Sequence, residues 1–244
     1  MVSTTPTPRF LDAGEAALVV EFGRTVDPQI NDQVLALDQT LLSVDIPGVR
    51  ETVPTYRSLM IHYDPLVLDR ETLIAKIRGL PAGDAPNKKP RSLWTIPCCY
   101  QPPYGEDLGQ VAKSLSLTES QLIQLHSHTT CRAYMYGFAP GFCYLGGLPK
   151  ELAISRRPMP RAPHAPNAIL MAGGLSLIGT FPMPTGWWVI GRTPVRMFSA
   201  SRDPNFLVKV GDLVRFSPID EKKFEALENR AASGDQIANC EPVQ

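Results

Sequence analysis

Three side chains in the second half of the chain have the chemistry to act on a small molecule: His126, Arg161 and Arg192. A histidine titrates near neutral pH and can take or give a proton. An arginine held in a turn can clamp a carboxylate through two parallel hydrogen bonds, or tie two loops to backbone carbonyls. Arg161 stands in Pro160-Arg161-Ala162-Pro163 and Arg192 in Gly191-Arg192-Thr193-Pro194, and the sequence leaves both roles open for each. His126 alone reads as a structural histidine; what raises it to a candidate general base is the stretch that follows it.

That stretch, Tyr134 to Pro149, holds five aromatics, four glycines and two prolines in sixteen residues, which forbids a helix. Its rings cannot all enter one core from so bent a backbone. Tyr134, Phe138, Phe142 and Tyr144, with the turn residues Pro140 and Gly141, are therefore expected to line a cleft, where flat rings give contact area at low entropic cost. A second stretch, Gly186 to Pro194, answers it and adds Trp187 and Thr193 as candidate contacts. Taken alone, Trp187 reads as core, with Trp188 facing the other way. The two stretches are expected to meet in one recess that another protein helps to complete.

Several chemistries are missing. The chain has no GxxxxGK[ST] phosphate loop, no GxGxxG and no Gly-x-Ser-x-Gly elbow, so a nucleotide would need a loop from another polypeptide. His126 and His128 lack a third ligand at metal-binding spacing, and no metal is expected. The five cysteines, at 98, 99, 131, 143 and 240, are odd in number and form no CxxC pair, so they read as free thiols. With 24 basic and 24 acidic residues the formal charge is zero, which argues against nucleic acid or an anionic membrane as partner. No run of about 18 apolar residues is present to span a bilayer, and the start lacks the order of a secretory signal; a cytoplasmic protein is expected.

The elements that must position these residues fall into two domains. After a flexible arm (1–11), residues 12–80 read as a small α+β domain. Ala16–Gly23 is a strand, Asp27-Pro28 caps a helix with Ile30, Val34, Leu37 and Leu41 on one face, the region from Val49 alternates as strand, and Asp69 caps a second helix. Pro54 falls near a bulge or edge, and His62 on the polar face. Residues 81–91, rich in proline, glycine and charge, read as a linker. Residues 92–220 then alternate short apolar runs with Gly and Pro: Ala168–Ala172, Leu175–Phe181, Trp187–Ile190, Arg196–Phe198, Phe206–Val210 and Leu213–Phe216, with Gly211-Asp212 as a hairpin turn. One helix interrupts, behind the capping box Thr118-Glu119-Ser120-Gln121. That pattern is an all-β barrel or sandwich. A terminal helix and a frayed tail (221–244) complete the reading.

Gly14-Glu15-Ala16-Ala17-Leu18, Val53-Pro54-Thr55-Tyr56, Gly137-Phe138-Ala139-Pro140-Gly141-Phe142-Cys143-Tyr144-Leu145, Pro160-Arg161, Gly186-Trp187, Gly191-Arg192-Thr193-Pro194 and Val210-Gly211-Asp212-Leu213-Val214-Arg215-Phe216 together carry a resemblance over roughly residues 12 to 219. The chain resembles the family of the 5-oxoprolinase B-type subunit, the sporulation-kinase inhibitor KipI, allophanate hydrolase subunit 1 and the carboxyltransferase subdomain C and D proteins. The resemblance implies an α+β N-terminal domain followed by an all-β cyclophilin-like barrel. It implies partners too: a homologous C-type barrel protein and an A-type lactam-utilisation protein, which with the B-type protein open the 5-oxoproline ring to glutamate at the expense of ATP. By resemblance His126 falls on the histidine before the aromatic loop and Arg161 on the Pro-Arg pair. Its other members imply inhibition of a histidine kinase, or carboxyl transfer with biotin arriving on another chain.

Departures from the family pattern cluster in the second domain. Ala165-Pro166-Asn167-Ala168 replaces Pro-x-Gly-Ser, Leu175-Ser176-Leu177-Ile178-Gly179-Thr180 replaces Gln-Thr-Gly-Ile-Tyr-Pro, Pro184-Thr185-Gly186-Trp187 replaces Pro-Gly-Gly-Trp, and Cys131 replaces a tyrosine. A glutamine amide and a hydroxyl are lost, so the barrel is expected to survive while the polar contacts of the recess change.

Overall fold

The computed structural model describes residues 7–81 and 91–243. It divides into two compact units, residues 1–90 and 91–244. Apart from Pro81 and Arg91, the expected linker lies outside the described residues, as do residues 1–6 of the expected arm.

In the first unit, strands β1 (Arg9–Asp12), β2 (Ala17–Glu21), β3 (Val49–Pro54) and β4 (Ser58–Tyr63) form an antiparallel sheet in the order β1-β2-β4-β3. Alternation places Leu18 and Val20 of β2 with Leu59, Ile61 and Tyr63 of β4 in one apolar layer. Helices α1 (Pro28–Val44) and α2 (Arg70–Gly79) bring Val34, Leu41, Leu73 and Ile77 to the same layer. Each starts where the sequence placed a cap: the Asp27 side chain accepts from the backbone of Gln29 and Ile30, and that of Asp69 from Thr72. Pro54 ends edge strand β3, where a missing N–H costs no ladder bond. The arm is corrected at its end. Arg9–Leu11 are strand, a mostly exposed edge whose polarity hides it from a periodicity reading.

The second unit is a closed barrel of seven strands: β5 (Arg91–Cys99), β6 (Cys131–Tyr136), β7 (Cys143–Gly146), β8 (Ala168–Ala172), β9 (Leu175–Gly179), β10 (Trp188–Arg192) and β11 (Leu213–Ile219). The order runs β10-β8-β9-β7-β6-β11-β5, and Arg192 opposite Cys99 closes the ring. β5 and β11 are parallel; the other barrel pairs are antiparallel. In β8, Ile169 and Met171 point into the barrel while Ala168, Leu170 and Ala172 join a separate apolar layer outside it. Burial on both faces is why β8 reads as a continuous apolar run.

Four expectations are corrected here. Helix α3 (Leu108–Ser114) precedes α4 (Glu119–His128), so two helices interrupt the strands; α3 is short and has no side-chain cap for the sequence to show. Arg196–Phe198 and Phe206–Val210 are loop, joined by a single bridge between Phe198 and Phe206. Gly211-Asp212 is a clamp and not a hairpin turn: the Asp212 carboxylate accepts from Ser92 N, Trp94 Nε1 and Lys209 N, fixing the start of β5. Behind α5 (Glu221–Ala232) the expected frayed tail is strand β12 (Asn239–Val243), paired along β5 as an added edge.

Candidate functional site

The outer layer on β7, β9, β8 and β10 is built around Phe142, Leu170, Leu177 and Trp187. Two loops beside it are laced together by backbone bonds, Arg157 N to Gly186 O (2.8 Å), Arg161 N to Thr185 O (2.8 Å) and His164 N to Met183 O (3.2 Å). Here lies a recess of about 190 Å³, walled by Phe138, Phe142, Tyr144 and Trp187, with Arg156, His164 and Thr185 among its polar residues.

Local backbone chemistry shapes the wall. Ala139 N bonds to Gly137 O (2.9 Å), a three-residue turn that holds Phe138 at φ 72° with the residue 73% exposed. Phe142 lies below it, 2% exposed, with ring centres 5.7 Å apart. Gly141, at φ 79°, lets the turn close: a Cβ there would stand 2.5 Å from Phe198 Cβ. Thr180 Oγ1 donates to Pro140 O (2.6 Å), which ties the turn to the end of β9. Across the recess the Trp187 ring meets Tyr144 edge to face at 6.0 Å.

The polar groups have distinct states. Arg156 lies 5.7 Å over the Trp187 ring, a cation–π placement that leaves the guanidinium exposed at the recess. His164 is 1% exposed and donates through Nδ1 to Ala165 O (2.7 Å), so Nε2 is its acceptor. Burial pushes its pKa down. Burial also pushes the Tyr144 hydroxyl up, against a pull downward from the Arg156 charge.

The candidates named from the sequence divide by position. Phe138, Phe142, Tyr144 and Trp187 come together around the recess; Pro140 and Gly141 form its turn. Tyr134 is instead buried under the Arg132 guanidinium at 5.6 Å, on the strand before the loop. Trp188 enters the barrel core and Trp187 the outer layer, the reverse of the first expectation, because β10 sets Trp188 opposite the inward Met171.

None of the three catalytic candidates lines the recess. His126 is on helix α4 and is fully buried: Nδ1 lies 2.7 Å from Tyr100 Oη, Nε2 3.3 Å from Ser176 Oγ, and the ring stacks on Phe216 at 4.6 Å. Burial drives its pKa down to about 3. Arg161 is committed to Asp107 (2.9 Å) and Glu106. Arg192 donates to Pro166 O (2.9 Å) and Glu228 (2.8 Å) and lies over Phe224 at 5.2 Å. Thr193 is buried, its Oγ1 accepting from Val195 N (3.1 Å). The second stretch therefore reaches the recess through its Gly186–Trp187 end, while Arg192 and Thr193 hold loops.

Sequence reasoning missed Arg156, His164 and Asp107. Asp107 organises the recess from behind: Oδ1 accepts from Arg157 (3.0 Å), while Oδ2 accepts from Arg161 (2.9 Å) and from Val189 N (2.8 Å). The signal available was the pair Arg156-Arg157, adjoining prolines, together with Glu106-Asp107 behind a turn. An exposed cation above a small, ring-walled hollow can recognise an anion with a flat, uncharged body.

The carboxyltransferase domain, subdomain C and D, matches residues 8–208. The chain belongs to that family. A relative at 32% identity over 229 residues is the B-type subunit of the 5-oxoprolinase of Bacillus subtilis (strain 168), with 87% of this chain and 93% of that one aligned. The protein of the same name from Escherichia coli O157:H7 is 32% identical over 209 residues, covering 85% of this chain and 94% of its own. Among solved structures, TTHA0988 superposes with a TM-score of 0.75 at 34% identity; the match covers 84% of this chain and 40% of that longer one. The urea carboxylase of Kluyveromyces lactis superposes at 0.79 over 97% of this chain and 24% of its own, at 14% identity, and shares the fold. Among the described residues no helix is long and apolar enough to cross a membrane.

Proposed function

We propose that this chain is the B-type component of an ATP-dependent 5-oxoprolinase, a lactam-opening hydrolase that converts 5-oxoproline to glutamate in the cytoplasm. The observation that carries the reading is the alignment with 93% of a protein named as the B-type subunit of that enzyme. A component so named works with others, and a C-type barrel protein and an A-type lactam-utilisation protein are the partners to look for. The recess supports a binding role over a bond-breaking one: its lining offers a guanidinium, an imidazole and a phenol but no carboxylate. At about 190 Å³ it is also smaller than the roughly 300 Å³ at which pockets for larger ligands begin, so ATP is not the occupant this recess fits.

The test is reconstitution. The chain with its A-type and C-type partners should hydrolyse ATP only when 5-oxoproline is present, and omission of any one component should abolish turnover. Turnover by this chain alone, or none by the full set of three, overturns the proposal. A second reading, inhibition of a histidine kinase, has one observation in its favour, the 73% exposed Phe138 at a turn tip. It requires that the chain suppress kinase autophosphorylation and that Phe138→Ala relieve this.

A further inference from the structure

The recess contains a cation that no carboxylate among the described residues neutralises. Of the arginines around it, Arg157 and Arg161 are held by Asp107 and Glu106. Arg156, beside them in sequence, makes no ion pair among the described residues and instead rests on the Trp187 ring. A guanidinium over an aromatic face still has N–H donors to offer an anion. Tyr144, on the same wall, is close enough for its hydroxyl to feel the Arg156 charge. The other walls are rings, and below them the layer is apolar.

Size narrows the occupant. A volume of about 190 Å³ is that of about six liquid waters at roughly 30 Å³ each, enough for one small ring with a substituent.

We propose that the recess binds a small planar-ring carboxylic acid, its carboxylate on Arg156 and its uncharged ring between Trp187 and Phe142. A five-membered lactam acid such as 5-oxoproline has that shape. This assignment of the substrate to a site rests on the 5-oxoprolinase reading.

Calorimetry with the purified full chain tests it, using 5-oxoproline and its uncharged carboxamide as probes. The acid should bind, and the carboxamide should bind at least about tenfold more weakly, the usual scale for losing a charge-assisted hydrogen bond. Arg156→Gln should weaken the acid by a similar factor with Tm unchanged, and Arg156→Lys should recover part of it. No saturable binding of the acid up to about 10 mM, equal binding of acid and amide, or an unaffected Arg156→Gln variant each overturns the site. The two readings separate in the reconstituted complex. Arg156-dependent binding with no 5-oxoproline-dependent ATP hydrolysis sinks the function and keeps the site. Turnover with KM and kcat untouched by Arg156→Gln keeps the function and sinks the site.

Discussion

Asp107 accepts a hydrogen bond from Arg161 at 2.9 Å across 54 residues of sequence, and the same carboxylate receives Arg157 at 3.0 Å. Asp107 is 8% exposed, so removing its charge strands the partly buried Arg157 guanidinium and leaves Arg161 with Glu106 alone. Asp107→Ala should therefore cost about 3 kcal/mol in urea unfolding, the low end for breaking a buried pair because the arginines keep some solvent. The loop carrying Arg156 should loosen with it, so trypsin should cut after Arg156 and Arg161 faster than in the parent. A loss under about 0.5 kcal/mol, the scale of an ordinary surface change, would show that the clasp holds nothing.

Gly141 is fixed by geometry of a different kind. Its φ of 79° already disfavours any side chain, and an added methyl would overlap Phe198 and Thr180. Gly141→Ala should lower Tm by roughly 5–10 °C, from about 1–2 kcal/mol of backbone strain plus the steric overlap. Thermal unfolding by circular dichroism checks it; an unchanged Tm would mean that the turn is looser than its bonds indicate.

His126 gives the protein a pH signature. Its folded pKa, about 3, lies below the 6.5 of an unfolded histidine, so the unfolded chain takes up the proton first. This contribution is fully present above pH 6.5 and is lost as pH falls toward 3, by a total on the order of a few kcal/mol. His126→Asn should lower stability at neutral pH, since the contacts with Tyr100 and Ser176 change, yet flatten the dependence between about pH 6.5 and 4.5. Parallel stability curves for the two proteins would count against a buried neutral imidazole.

What the sequence made legible was mostly local chemistry. The Asp27-Pro28 cap, the Thr118–Gln121 capping box and the apolar run Ala168–Ala172 all hold as read, because caps and burial leave marks within a few residues. Strands β1 and β12 left no such mark, being edges whose side chains are mostly exposed. The aromatic loop announced the recess, but the choice among arginines was not local. Arg192 looked available until the fold brought Glu228 to it from 36 residues away, and Arg161 until Asp107 arrived. Which of two adjacent tryptophans faces the recess depended on β10's register against β8, which no count along the chain supplies.

Phe138 offers a last test in which strain and contact can be separated. An L-residue at φ 72° bears about 1–2 kcal/mol of backbone cost that glycine escapes, while glycine gives up about 0.5–1 kcal/mol in unfolded-state entropy relative to alanine. Both Phe138→Gly and Phe138→Ala remove the exposed ring, so their difference reports the turn alone. The glycine variant should be the more stable by about 1 kcal/mol in urea unfolding. If the ring is also a wall of a carboxylate site, both variants should bind 5-oxoproline more weakly by the same factor, because each leaves Arg156 in place and opens the same side. Equal stabilities would deny the strain at Phe138, and unchanged affinity in both would remove it from the recess.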